Sequence, residues 1–185
     1  MFPMHDHAAM ESWYAQREAR DFDSPGPPSV VAARDPLTGR LAGYARWLVP
    51  SAGRDSGGEL KVDDMIPIAP PAGTDVDFLR SYYAMMLDGS KPHMDMARDW
   101  TVTFFAVHPD FEGRGYGGAL MRHVLAEADQ AGVNVFLIAT DAGKRLYEKN
   151  GFSDVGELPI HLPNDKGVVT RHHMIRKAKH SPSVS

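Results

Sequence analysis

Four glycines within six residues are the strongest chemical signal in this chain. They are Gly113, Gly115, Gly117 and Gly118, and they follow an apolar run that ends at Val107. Glycine lets the backbone adopt positive φ and approach a ligand closely, so consecutive N–H groups can converge on an anion. The residues that follow have a helical pattern, and a helix start adds unsatisfied amides and a positive dipole end. Strand, glycine turn and helix in this order predict a site for a diphosphate-bearing ligand.

The same glycines also satisfy a dinucleotide-binding spacing. Gly113, Gly115 and Gly118 fit G-x-G-x-x-G. This interpretation is disfavoured because the proline-containing segment 108–112 separates the strand from the glycines, and because the motif lies past the middle of the chain. The acidic residue expected after the next strand is also poorly placed, since Asp141 is the nearest fit and is expected to open a helix. A nicotinamide-dependent oxidoreductase is therefore a distant alternative.

The segment VHPDFEGRGYGGALM, residues 107–121, resembles the acetyl-CoA loop of the GNAT N-acetyltransferases. In that family a strand and V-x-P precede Gln/Arg-x-x-Gly-x-Gly/Ala, and residues 112–118 occupy those positions. The resemblance implies that a backbone stretch binds acetyl-CoA: Gly113, Arg114, Gly115, Tyr116, Gly117 and Gly118. Glu112 departs from the pattern, because an acid stands where Gln or Arg is usual. We expect its side chain to point away from the diphosphate and Arg114 to compensate in part.

A second block carries the same resemblance independently. The nearly continuous apolar run 133–140 predicts a buried strand. The sequence DAGKRLYEKNGF then predicts a helix with Asp141 as its N-cap and Asn150-Gly151 as its end. This ending resembles the second GNAT signature, in which a helix tyrosine lies beside the CoA sulfur. The resemblance implies that Tyr147 hydrogen-bonds to the departing thiol and that Asp141 belongs to the cofactor site.

In the GNAT family the core strand splays from its neighbour. The resemblance therefore implies that backbone N–H groups near Phe105, Ala106 and Val107 are free for the thioester and the pantetheine, where fixed donors stabilise an oxyanion. The general base is left open among four side chains or bulk solvent: Asp99, His93, His108 and Asp64. A purely structural interpretation of Tyr147, as a packed helix residue, is the weaker alternative.

Other polar residues are expected to have structural roles. Lys144, Arg145 and Lys149 are most simply a solvated helix face. Consecutive strand residues point to opposite faces, so His172 and His173 are expected on a solvated edge, and no metal site is predicted.

The composition sets limits on class and partners. With 185 residues, 43% hydrophobic and 24% charged, the chain suits one domain over residues 1–177, followed by a polar, disordered tail at 178–185. A net charge of −4 gives no argument for a nucleic acid or an anionic membrane as partner. There are no cysteines, which excludes an acyl-cysteine mechanism. There is no apolar run of about 20 residues and no secretory signal, so we expect the cytoplasm, with the nucleus also open.

The order of elements predicts the fold. We expect a helix from about residue 6, a rigid loop at 24–29, a hairpin turning at 35–39, a Gly/Pro-rich connection at 50–75, a helix at 77–87, and final strands at 156–162 and 168–177. The resemblance implies an α/β (α+β) fold of the GNAT acyl-CoA N-acyltransferase type, with a mixed, mostly antiparallel sheet flanked by helices. The family's first strand and helix are missing from this order. Their loss would expose a sheet edge, which suggests a possible homodimer.

The predicted function is direct acetyl transfer from acetyl-CoA, the cosubstrate, to a small-molecule or peptide amine. Residues 51–90 are expected to shape the acceptor pocket. The main alternative is a non-catalytic acyl-CoA-binding regulatory module that kept the glycine turn but lost its acceptor site.

Overall fold

The computed structural model of the chain describes residues 7–23, 29–50, 61–66 and 68–179. The helices are α1 (His7–Asp23), α2 (Val62–Met65), α3 (Val76–Ser90), α4 (Tyr116–Ala131) and α5 (Asp141–Lys149). The strands are β1 (Ser29–Arg34), β2 (Leu41–Leu48), β3 (Trp100–Val107), β4 (Val135–Thr140), β5 (Ser153–His161) and β6 (Val168–Arg176), and a short 3₁₀ turn covers Pro109–Phe111. Predictions for 1–6, for most of the loop 24–29, for 51–60 and for the end of the tail lie outside the described residues. No described helix is long and apolar enough to cross a bilayer.

The strands form one mixed sheet in the order β1-β2-β3-β4-β6-β5. The pairs β1–β2, β2–β3 and β4–β6 are antiparallel, whereas β3 and β4 are parallel. This confirms the predicted fold class, a mixed and mostly antiparallel sheet flanked by helices. Among the described residues, α1 precedes β1 and no strand precedes α1.

The chain forms two compact units. The first comprises Met1–Pro27, Ser51–Pro92 and Leu158–Thr170, and its described part contains α1, α2 and α3. The second comprises Pro28–Pro50, His93–Glu157 and Arg171–Ser185, and it contains β1 to β4 with α4 and α5. A single domain over residues 1–177 stays a prediction.

In the first unit, α3 begins at a polar cap. The Asp75 side chain accepts a hydrogen bond from the Phe78 N–H at 2.9 Å, which satisfies one of the free amides of the helix start. Leu79 is buried on this helix, and Trp13 of α1 is also buried, with its Nε1 donating to the Ile68 carbonyl at 3.4 Å. In the described part of the connection predicted for 50–75, residues Val62–Met65 form the short helix α2.

In the second unit, α4 packs on the sheet through one apolar face. Its buried residues recur every three or four positions, as an amphipathic helix requires: Leu120, Met121, Val124, Leu125 and Ala128. They share a core with Trp47, Val135, Leu137 and Met174. This face fixes α4 against the strands, and with it the glycine turn at the start of α4.

The far end of α4 is held by an ion pair. Both Nη atoms of Arg176 contact the Asp129 carboxylate, at 2.8 and 2.7 Å, in a bidentate arrangement. Because Arg176 is only 5% exposed, this pair joins α4 to β6 in a partly dry environment.

Candidate active site

The parallel strands β3 and β4 pair only over their first halves. The paired residues are Trp100–Val135, Thr101–Phe136 and Val102–Leu137. Beyond them, Ile138 and the rest of β4 pair with β6 but not with β3. The carboxyl-terminal half of β3 therefore leaves a gap beside β4. This is the splay that the family resemblance implied.

Strand geometry shows which β3 amides face this gap. The His108 N–H donates to the Ala42 carbonyl at 2.8 Å, so it points toward β2. Because successive N–H groups alternate in direction along a strand, the N–H of Ala106 also faces β2, whereas those of Phe105 and Val107 face the gap. Of the three predicted strand donors, Phe105 and Val107 therefore direct their N–H groups to the gap, and Ala106 directs its N–H to the β2 ladder.

A glycine on β2 permits the close approach of this part of β3. A Cβ at Gly43 would lie 2.5 Å from the Ala106 carbonyl oxygen and 3.1 Å from the Val107 Cα. A side chain there would push β3 away at the positions that face the gap. Sequence reasoning did not single out Gly43, because only the register with β3 reveals the contact.

The glycine turn leads into α4 with unusual backbone angles. Gly113 and Gly115 have φ of 72° and 86°, in the left-handed region that favours glycine. Gly115 is the N-cap of α4 and has no side-chain hydrogen bond to the helix start. Among the described residues, no acceptor is bonded to the amides of 113–118, and the first helix-start bond is from the Ala119 N–H to the Gly115 carbonyl. This row of free amides at a positive dipole end is suited to an anion.

Several side chains next to the glycine turn make contacts that hold it in place. Phe111 is 3% exposed, and the Arg114 guanidinium lies over its ring at 5.3 Å. The Tyr116 hydroxyl donates to the Asp35 carboxylate at 3.0 Å. Thus Tyr116 directs its side chain to the β1–β2 turn, and only its backbone N–H belongs to the row of amides. Glu112 is exposed.

Asp35 is the buried centre of the β1–β2 turn. It accepts from the Thr38 hydroxyl at 2.8 Å, the Thr38 N–H at 2.9 Å and the Leu37 N–H at 3.2 Å. The bonds from Thr38 are the main reason why the pKa of Asp35 is lowered. Neither Asp35 nor Phe111 was foreseen as a support for the turn, because both depend on contacts between separate elements.

Tyr147 lies on α5 with its ring in the core. Its ring packs edge-on against Phe105 at 5.9 Å and Phe152 at 5.8 Å between centres. Burial raises the pKa of Tyr147 to about 12. Among the described residues, no group is hydrogen-bonded to its hydroxyl. The packing on Phe105 places the ring against the β3 segment whose N–H groups face the gap. The role of the hydroxyl stays a prediction.

The predicted cap of α5 was wrong by one residue. Thr140, not Asp141, is the N-cap, and its hydroxyl accepts from the Gly143 N–H at 3.2 Å. Asp141 is the first helical residue, and its Oδ1 lies 2.7 Å from His172 Nε2. Threonine and aspartate are both good caps, so the local sequence did not distinguish them.

The expectation that His172 and His173 lie on a solvated edge was also wrong. The two side chains are 5% and 2% exposed, because β6 lies inside the sheet between β4 and β5. His173 stacks on His93 at 5.2 Å between ring centres, and burial is the main reason why its pKa is lowered.

Lys144 likewise departs from the predicted solvated face. Its Nζ lies 2.6 Å from Asp154 Oδ2, and its side chain is 29% exposed. The hydrogen bond that Lys144 donates to Asp154 raises the pKa of Lys144. The side chains of Asp154, Glu157 and His172 are close enough to share a metal ion, but Lys144 already places a cation against Asp154. Arg145 and Lys149 are exposed as expected.

The base candidates lie in different places. Asp99 accepts a hydrogen bond from Asn134 Nδ2 at 2.8 Å. It lies just before the start of β3, so the length of the strand, about 23 Å, separates it from the end of β3 that faces the gap. A surface cavity of about 470 Å³ lined by Asp99, Trp100 and Asn134 is at this same distant end. His108 is exposed directly after β3, where its Nδ1 accepts from the Asp110 N–H at 3.1 Å.

The other two base candidates are less well placed or less well described. His93 packs on His173, and a Cβ at Gly156 would lie 2.7 Å from its Nε2. The side chain of Asp64 lies outside the described part of the structure. The general base therefore stays open.

The site thus combines a half-paired parallel strand pair, a glycine turn that opens a helix, and a tyrosine on the following helix, which are the parts that the family resemblance implied. Comparisons with known proteins agree. Residues 83–154 match the acetyltransferase (GNAT) domain. An acetyltransferase of Stachybotrys chartarum is 31% identical over 75 residues, which cover 40% of this chain and 33% of the relative. The chain thus spans about a third of the length of this curated relative.

Solved structures share the fold at low sequence identity. Arylalkylamine N-acetyltransferase 2 from Aedes aegypti has a TM-score of 0.64 at 15% identity, covering 94% of this chain and 86% of that one. A protein from Corynebacterium glutamicum described as histone acetyltransferase HPA2 and related acetyltransferase has a TM-score of 0.61 at 20% identity, covering 99% and 82%. These structures show that the chain shares the fold of solved acetyltransferases, and residues 83–154 match the GNAT domain.

Proposed function

We propose that this chain transfers an acetyl group from acetyl-CoA to an amine acceptor, either a small molecule or a peptide. The observation that carries the proposal is the gap between β3 and β4, which begins after Val102 and is lined by the N–H groups of Phe105 and Val107. The gap lies at the same edge of the sheet as the glycine turn, because β3 runs directly into that turn.

The residues present fit the cosubstrate. The free amides of 113–118 supply converging donors for a diphosphate, and Gly113 and Gly115 have the positive φ that this turn requires. The Phe105 and Val107 amides supply donors for the acyl arm. The diphosphate and the acyl end are thus bound mainly by backbone, which keeps their separation fixed by the length of β3 and its turn.

Positioning is the largest expected contribution to rate. Holding the acyl group and the amine in line can remove on the order of 7–11 kcal/mol from the barrier. The strand N–H groups of Phe105 and Val107 stabilise negative charge on the acyl oxygen without reorganising, since the β2 ladder holds the strand in place.

Tyr147 acts best as a hydrogen-bond donor to the departing sulfur. With a pKa of about 12 for Tyr147 and about 8.5 for an ordinary thiol, complete proton transfer is uphill by about 5 kcal/mol. A hydrogen bond from the phenol to the developing thiolate needs no such transfer.

Calorimetry with acetyl-CoA, CoA and NADH tests the cosubstrate first. We expect micromolar binding of both CoA compounds and no binding of NADH. Absence of CoA binding would overturn the proposal, and NADH binding would instead support the dinucleotide interpretation of the glycines.

A screen of amine acceptors, followed by thiol release, tests the transfer. Release that depends on an amine supports an N-acetyltransferase. Tight CoA binding without release for small amines, polyamines, peptides and protein lysines would favour the non-catalytic acyl-CoA-binding module.

A further inference from the structure

His172 lies between two carboxylates. Its Nε2 is 2.7 Å from Asp141 Oδ1, and its Nδ1 is 2.9 Å from Asp154 Oδ2. An ionised carboxylate only accepts hydrogen bonds, and a neutral imidazole donates through one nitrogen only. Both contacts can therefore be hydrogen bonds only when the ring carries protons on both nitrogens. The His172 side chain is only 6% exposed, so these two partners replace most of its water.

Further charges complete the cluster around this ring. Lys144 Nζ contacts Asp154 Oδ2 at 2.6 Å, and Glu157 Oε1 is 3.7 Å from His172 Nδ1. Three carboxylates thus face two cations. The bond to Asp141 is the main reason why the pKa of His172 is raised, and burial opposes it.

The cluster brings together three elements at the start of α5. Asp141 is the first residue of α5 and Lys144 lies one turn later, whereas Asp154 lies on β5 and His172 on β6. The α5 helix has only nine residues, so a displacement of its first turn also moves Tyr147. The Tyr147 ring lies over the first turn, since a Cβ at Gly143 would be 3.1 Å from its Cε2.

The other end of α5 is held separately. The Phe152 N–H donates to the Tyr147 carbonyl at 3.1 Å, and the Asn150 side chain donates to the Leu146 carbonyl at 2.8 Å. These bonds are local to the end of the helix, whereas the ion pairs of the charged cluster join the start of α5 to β5 and β6.

We propose that His172 is a positioning residue for the acetyl transfer: its doubly protonated ring holds the start of α5 against β5 and β6 and so orients Tyr147. The proposal rests on the proposed function of Tyr147. Loss of one proton leaves a single N–H for two carboxylates. Asp154 keeps Lys144 and the Gly156 N–H, whereas Asp141 has no other partner among the described residues. The contact to Asp141 is therefore lost first, and α5 is released at its start.

Ring NMR spectra of the full chain across about pH 5 to 9 test this linkage without any substrate. The signals of the two rings are assigned with His172→Gln and Tyr147→Phe. We expect His172 to titrate above the ordinary histidine pKa and the Tyr147 ring signals to shift through the same midpoint. Tyr147 signals that stay constant through the His172 titration would overturn the proposal. A His172 midpoint at or below the ordinary histidine pKa would also overturn it.

Asp141→Asn is the main variant, because the side chain of Asp141 is 75% exposed and its replacement leaves the core intact. We expect Asp141→Asn to lower the pH midpoint of the His172 titration and to move the midpoint of the Tyr147 signal shift with it. Glu148→Gln is the matched control, since it removes one exposed charge from the same helix. The charge of Glu148 acts on Lys144, whereas the bonds that raise the pKa of His172 come from Asp141 and Asp154. An equal shift in both variants would show a general charge effect and contradict the proposal.

Kinetics with an acceptor found in the screen separate the roles. For Asp141→Asn we expect kcat to fall by about 3- to 10-fold below the wild-type His172 midpoint and CoA affinity to stay within about twofold. Above that midpoint the difference in kcat should shrink, because the wild-type chain has then lost the same contact. Weaker CoA binding with an unchanged kcat would instead make Asp141 a cofactor contact. If the wild-type chain binds no CoA, the proposed function fails, and the NMR titration still decides whether His172 orients α5.

Discussion

The glycine turn before α4 and the charged cluster at the start of α5 use different means to fix a helix beside the same gap. The turn consists of backbone amides with two left-handed glycines in one continuous stretch. The cluster consists of side-chain charges from α5, β5 and β6. Backbone amides do not titrate between pH 5 and 9, whereas histidine is the side chain whose ordinary pKa lies in this range, and the pKa of His172 is raised from that value by its bond to Asp141.

This difference predicts that CoA binding and turnover respond differently to pH and to mutation. The turn should bind its anion with an affinity that depends little on the ionisation of this protein. The cluster should influence only steps that involve Tyr147. Variants that alter one region alone therefore test whether the glycine turn and the charged cluster act independently.

The largest effect is expected from a side chain at the start of α4. In Gly115→Val, a β-branched residue must adopt the left-handed φ of 86°. The turn would rearrange and lose several anion contacts, so we expect CoA binding to weaken by at least about 100-fold. The measurement is calorimetric titration with CoA.

Gly132→Val is the matched control for this change. Gly132 ends α4 with φ of 68°, also in open space, so it introduces similar strain far from the turn. A comparable loss of CoA affinity in both variants would mean that strain and instability, rather than the amide row, explain the result.

The second largest effect is expected for Tyr147, which lies on α5, the helix that begins at the charged cluster. We expect Tyr147→Phe to lower kcat by about 10- to 100-fold while CoA affinity stays the same, because only the hydroxyl is removed from a ring packed on Phe105 and Phe152. Steady-state kinetics and calorimetry measure the two quantities. Tyr14→Phe, on α1 with 37% exposure, serves as control. An unchanged kcat would remove Tyr147 from the mechanism.

The third effect is a pH dependence of folding stability. Because the folded pKa of His172 is raised, its contribution is fully present below the unfolded value of about 6.5 and is lost as pH rises through the folded pKa. Urea unfolding at about pH 6 and pH 9 should show a lower free energy of unfolding at the higher pH. The fall should be reduced in His172→Gln, and an equal fall in both proteins would assign it to other groups.

The smallest effect is expected for Arg114. If backbone amides provide most of the binding, Arg114→Ala should weaken CoA binding by only about two- to fivefold, as for a solvent-exposed charge. Arg145→Ala, an exposed arginine on α5, controls for net charge. A loss near that of Gly115→Val would show that the side chain rather than the backbone binds the diphosphate.

Local patterns predicted the elements that build the gap and the turn. The strand ending at Val107, the helix that stops at Gly132 and the helix that contains Tyr147 all lie where the sequence placed them, within about two residues. They could be predicted because strand hydrophobicity, glycine stops and helix periodicity are properties of neighbouring residues.

Contacts across the fold explain where sequence reasoning went wrong. His172 and Asp154 are separated by a whole hairpin, and no spacing rule relates them, so neither the buried cluster nor the second role of Lys144 was visible. Burial of β6 between β4 and β5 likewise depends on strand order, which reverses the chain order of the last two strands.

The sequence was enough to identify the glycine turn and the candidate tyrosine, because each lies in one short, continuous segment. The order of such segments also indicated the class of fold. Tertiary structure alone decided which β3 amides face the gap, why Gly43 must lack a side chain, and that His172 lies between two carboxylates. These features depend on strand register and on charges brought together from distant segments, and both are set only when the whole sheet assembles.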